Sequence, residues 1–87
     1  MNNSSLTEMA AKAIGNAPEG FSPLTDDGDC ARMEAQLSVC VEWSEAWVIS
    51  WHGNVQQTVL FSTHNGDKNA ARRAAFVAVA AEIGKLM

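Results

Sequence analysis

Apolar positions along the chain follow two periods, and the switches between them mark out the elements. In the stretch SSLTEMAAKAIGNAPEG, Leu6, Met9, Ala10, Ala13 and Ile14 share one face at helical spacing. Ser5 and Glu8 stand at capping-box separation, and Gly15 sits where such a helix stops. NAPEGFSPL then reads as a loop, punctuated by Pro18, Gly20 and Pro23, with Phe21 and Leu24 tucked toward the core. A second helix opens at TDDGD, where Thr25 and three aspartates meet free backbone N–H groups and the positive end of the helix dipole. Cys30, Met33 and Leu37 form its buried stripe. The longest helix fills NGDKNAARRAAFVAVAAEIGKLM, capped by Asp67 or Asn65. Phe76, Val79, Ile83 and Leu86, with Ala75, make one apolar stripe on it, and Ala70, Ala74, Val77 and Ala81 a second. A helix apolar on two sides is a sandwiched helix.

Between the second and third helices the period becomes two. All three tryptophans fall in VEWSEAWVISWHG, four residues apart at 43, 47 and 51. That spacing suits a helix face, yet the Val, Ile, Ser and Gly around it suit strands and turns. Strands over 39–43, 47–51 and 55–62, joined by three-residue loops at Ser44–Ala46 and His52–Asn54, resolve the conflict. This register sets Trp43 opposite Trp47 and Val39 opposite Trp51, and in the next hairpin Trp51 opposite Val55 and Trp47 opposite Val59. One face then collects Val39, Val41, Trp43, Trp47, Ile49, Trp51, Val55, Val59 and Phe61, with Gln57 its one polar member. The other collects Cys40, Glu42, Val48, Ser50, Gln56, Thr58, Leu60 and Ser62. The predicted fold is α+β with order ααβββα, a three-stranded antiparallel meander with helices packed on its tryptophan-rich face. Trp43, Trp47, Trp51, Phe61 and Phe76 are its expected core aromatics, with Trp47 the most buried.

Composition narrows the class. Eighty-seven residues make a single domain, here residues 1–87, with an N-terminal helix and loop over 1–20 and the remainder over 21–87. A hydrophobic share of 47% against 18% charged lets the chain fold unaided. The net charge of −4 argues against direct nucleic-acid binding, which needs a clustered positive surface. No basic start, signal-like run or membrane-length apolar stretch is apparent, so the expectation is a cytoplasmic protein with no membrane partner. Cys30 and Cys40 are too few for a disulfide scaffold and lack the spacing of a redox or zinc pair.

Catalytic chemistry is hard to find. His52 and His64 lie in or beside turns, DDGD at 26–29 lacks calcium-loop spacing, and no glycine loop suits a phosphate. No metal, cofactor or catalytic residue is assigned, and the chain is read as a non-enzyme. Arg72 and Arg73 stand in the early turns of the last helix, where the dipole disfavours cations. The structural explanation is an ion pair with Asp26, Asp27 or Asp29. The functional one is a docking hot spot.

FSPLTDDGDCARMEAQLSVCVEW, followed by strands and by DKNAARRAAFVAVAAEIGKLM, resembles the phage ABA sandwich domain, a family of small phage and prophage proteins. Ser22-Pro23 with Asp26 and Asp27, and Ala74 through Gly84, carry the likeness, which covers residues 21–87 and leaves out the first helix. It implies helices on both sides of the sheet, a phage or prophage origin, and action in a bacterial host cytoplasm. By analogy with short acidic proteins of such origin, the expected function is to bind and inhibit a host protein, such as CRISPR or restriction machinery (anti-CRISPR-like). The expected partner-binding residues are Asp26, Asp27, Asp29, Glu42, Glu45, Arg72 and Arg73. Two alternatives stand beside it. One is a homo-oligomeric structural phage protein, in the simplest case a homodimer, associating through Cys40, Val48 and Leu60 or through the alanine stripe. The other is a small-ligand-binding module with a groove near Trp51.

Overall fold

The structure is a computed structural model that describes residues 3–15 and 17–87; Asn16, within the expected first loop, lies outside the described residues. The elements are α1 (Asn3–Ile14), α2 (Asp27–Leu37), β1 (Cys40–Trp43), β2 (Trp47–His52), β3 (Val55–Leu60), a short 3-10 turn at Phe61–His64, and α3 (Lys68–Lys85). The strands form an antiparallel sheet in the order β1-β2-β3. The fold is therefore α+β with the ααβββα order.

The helix termini follow their chemistry. Asp26 caps α2, its carboxylate accepting from the Gly28 N–H at 3.0 Å, and Asp67 caps α3 by accepting from the Ala70 N–H at 3.1 Å. Asn65 instead ends the 3-10 turn in the left-handed region, at φ 56°. α1 starts at Asn3, ahead of the expected cap, so Ser5 and Glu8 stand inside it.

α3 is the central element. Its residues Phe76, Val77, Val79 and Ala80 join Ala10, Ile14, Cys30 and Met33 of α1 and α2 in the main core. Ala71 and Ala75, both fully buried, face Val48 and Phe61 on the sheet side. The sandwiched helix is confirmed, but its faces are drawn differently: Phe76, Val79 and Ile83, with Val77 of the second stripe, meet the other helices, Ala71 and Ala75 meet the sheet, Ala70 and Ala74 are only half-buried, and Leu86 is exposed. At Gly84 the helices touch backbone to backbone, since a Cβ there would lie 2.0 Å from the Met9 carbonyl oxygen.

The expected strand register is wrong by one residue in both hairpins. Trp43 pairs with Val48 and Cys40 with Trp51; Trp51 pairs with Gln56, and Trp47 with Leu60. β1 and β3 keep the faces assigned to them, while β2 turns over between them. Val48 and Ser50, expected outside, are fully buried under α3, and the indoles of β2 face away from it. Trp47 is 38% exposed, Trp43 is 46% exposed with its ring 6.0 Å from that of Phe61, and Trp51 is half-buried. Phe61 and Phe76 are core aromatics as expected; the tryptophans are not.

Two physical causes set this register. Gly53 has φ +58° while Asn54 stays at negative φ, the pattern of a two-residue Gly-first hairpin turn, which overrides the three-residue loop. The alanine face of α3 also brings the helix close to the sheet. The side chains of β2 beneath it, Val48 and Ser50, are small and fully buried, while the indole on that side, Trp43, stands on the edge strand beside Phe61. One cost is the Ser50 hydroxyl, buried without a hydrogen-bond partner among the described residues.

Candidate functional site

Turning β2 over creates the most distinctive surface of the molecule. On the side of the sheet away from α3, side chains form three cross-strand rows: Cys40–Trp51–Gln56, Glu42–Ile49–Thr58, and Ser44–Trp47–Leu60. No described helix packs on this face, so the second helical layer implied by the sequence resemblance is not present among the described residues. Leu60 is 49% exposed beside the exposed Trp47. A surface group of two indoles, Ile49 and Leu60 is the kind of apolar patch that marks interaction sites.

The first two rows border a groove of about 220 Å³ lined by Glu42, Ile49, Trp51 and Gln56. Neither Glu42 nor Gln56 makes a side-chain hydrogen bond or ion pair among the described residues. Nor can the neighbouring sequence supply a cation, for the chain carries no Lys or Arg from Met33 to Asp67.

The expected partner-binding residues divide into two groups. Glu42 lies on the open face and Glu45 at the exposed tip of the β1–β2 turn. The rest belong to the junction of α2 and α3. Asp27 meets Arg73 at 2.6 Å and Arg72 at 3.8 Å, Arg72 also pairs with Glu34 at 3.2 Å, and the Arg73 Nε donates to the Leu24 carbonyl at 2.9 Å. This is the ion-pair explanation of the two arginines. Asp29 is only 6% exposed, accepting from the Ser22 N–H at 2.9 Å and from Arg32. The Ser22 N–H first, and then Arg32, hold its carboxyl below its ordinary range. Asp26 is occupied as a cap.

Cys30 is fully buried, and desolvation pushes its thiol up to about 11, so it stays protonated at neutral pH. Cys40 is exposed on the open face beside Trp51. Among the described residues no group of three or more His, Cys, Asp or Glu side chains is placed to hold a metal ion. No described helix is long and apolar enough to cross a membrane.

Sequence reasoning missed Trp47, Ile49, Trp51 and Leu60 as one open surface. The signal was present in the Gly53-Asn54 pair, a two-residue turn that fixes which way β2 faces. Compared with protein-family models, curated proteins and solved structures, the chain matches none.

Proposed function

We propose that this protein is a non-enzymatic binding module that docks on another protein through the open face of its sheet. The observation that carries the reading is the exposure of Trp47 and Leu60, with Ile49 and Trp51, on a face no helix covers. Aromatic side chains surrounded by polar ones are the usual centre of a protein interface. The phage-like motifs extend the proposal to origin and target: a phage or prophage product acting in the bacterial cytoplasm by occupying and inhibiting a host defence complex, such as CRISPR or restriction machinery.

Dimensions and charge favour a different protein over a second copy. β2 and β3, of six residues each, are roughly 20 Å long, and with the four residues of β1 the sheet presents a footprint of roughly 250 Å². A stable complex buries about 800 Å² on each partner, so two such faces alone fall short. The face also carries Glu42 and no cation, so self-association would cover a carboxylate with no partner for it. A larger protein that reaches past the open face to Glu45 at the hairpin tip and brings a cation to Glu42 meets both requirements.

The test pairs purified candidate defence complexes with the wild-type protein and with a Trp47→Gln/Leu60→Lys variant. Both positions are exposed, so the variant should keep its circular dichroism and melting temperature. Expected are binding and inhibition by the wild type and loss of both in the variant. Undiminished binding by the variant, or a wild-type dimer that dissociates on Leu60→Lys, would overturn the reading.

A further inference from the structure

We infer that the groove between Glu42, Ile49, Trp51 and Gln56 receives one arginine side chain of the docked protein; this rests on the docking role proposed for the face. Size is the first argument. At about 220 Å³ the groove is smaller than the roughly 300–1,000 Å³ of small-molecule sites, and it suits a single side chain better than a cofactor or metabolite.

The lining supplies what a guanidinium on an aliphatic stem requires. Glu42 and Ile49 are directly opposed across β1 and β2, and Trp51 lies two residues further along β2 on the same face. Gln56 is opposite Trp51 on β3. A carboxylate is therefore set beside an indole, with an aliphatic wall and an amide across the groove. Arginine can address all four at once. Its planar fork binds the carboxylate and stacks on the indole, its methylenes lie on Ile49, and a remaining N–H reaches the Gln56 carbonyl oxygen. Lysine offers a compact, more strongly hydrated charge that does not stack.

Charge complementarity makes the same choice. The acids of the α2–α3 junction are occupied by Arg32, Arg72 and Arg73, or serve as caps. Glu42 has no such partner among the described residues, and the chain places no Lys or Arg on the sheet. The cation has to come from outside.

The experiment titrates the ¹⁵N-labelled full chain with Nα-acetyl-arginine methylamide and follows the three indole N–H resonances, assigned with Trp→Phe variants. N-acetyl-norleucine methylamide serves as the uncharged control. The expected result is a saturable shift at Trp51, in the millimolar range, with Trp43 unmoved. Affinity should fall about threefold in Glu42→Gln and for the norleucine compound, and should weaken with added salt, whereas Glu45→Gln should bind as the wild type does. Equal binding of the two compounds, or an unchanged affinity in Glu42→Gln, would overturn the arginine site. So would the absence of a saturable shift at Trp51. The two readings fail separately: a partner lost with Trp47→Gln/Leu60→Lys but held equally by Glu42→Gln removes the arginine site and keeps the docking face. An arginine-selective shift at Trp51, with no partner that depends on Trp47 and Leu60, does the reverse.

Discussion

Gly84 and Asp29 show how much of this small domain hangs on single contacts. At Gly84 a methyl group would be driven into the Met9 carbonyl, which is backbone and cannot swing aside. Alanine is about 1 kcal/mol the better helix former, yet overpacking of this kind costs about 1–3 kcal/mol and forces α1 off α3. Gly84→Ala should therefore lower the urea midpoint despite its helical preference, and a midpoint at or above wild type would refute the contact. Asp29 acts through charge. Its folded-state pKa lies below the unfolded value of 3.8, so its stabilisation is complete above that value and fades as pH falls on through the folded one. Asp29→Asn should cost about 1–3 kcal/mol at pH 7, and the gap to wild type should close only below about pH 4, as read from urea unfolding across pH.

Among the elements, the α2–α3 junction and the sheet make opposite demands. At the junction Arg73 has two partners of unequal value. Asp27 is 59% exposed, so solvent screens that pair to about 0.2–1 kcal/mol, whereas the Leu24 carbonyl bond is part-buried. Arg73→Ala should destabilise clearly more than Asp27→Ala, and equal effects in thermal melts would contradict this ranking. In the sheet the register decides which side chains meet solvent. Acrylamide should quench Trp47 and Trp43 readily in single-tryptophan variants, with Trp51 intermediate; a protected Trp47 would restore the discarded register.

Helix order, the α2 and α3 caps and the buried stripe of α2 were legible because each rests on local chemistry: a carboxylate at a helix start, apolar residues at 3.6 spacing. The faces of the sheet were not. Sorting by polarity grouped the three indoles with the valines, whereas the chain sets Val48 and Ser50 under the alanines of α3, and only the fold shows how closely that helix approaches. The candidate site was lost with the register. Asp26, Asp27 and Asp29 read as one docking surface, but each has a partner within the chain: the Gly28 N–H for Asp26, the arginines of α3 for Asp27, and the Ser22 N–H with Arg32 for the buried Asp29.

For the whole molecule, charge and stability are unevenly distributed. At the α2–α3 junction Asp27 and Glu34 are set against arginines, while on the sheet Glu42 and Glu45 have no ion pair among the described residues. α3, packed on β2, β3, α1 and α2, should be the last element to open, and α1, resting chiefly on α3, an earlier one. Native-state hydrogen exchange checks this. Amides in the middle of α3 should exchange only at the free energy of global unfolding, and faster exchange there than in β2 would contradict it.

The packing of α1 against α3 also governs how quickly the fold can be reached. The two helices touch along much of α1, although the whole of residues 15–67 separates them in the chain. Closing that loop loses conformational freedom before any contact is gained, so the barrier should be dominated by long-range closure. The β1-β2-β3 meander is local and can form first, but it exposes both faces until α3 arrives. During that interval its two apolar sides and unpaired edges are open to other chains. Folding yield should therefore fall with protein concentration more steeply than the size of the domain suggests.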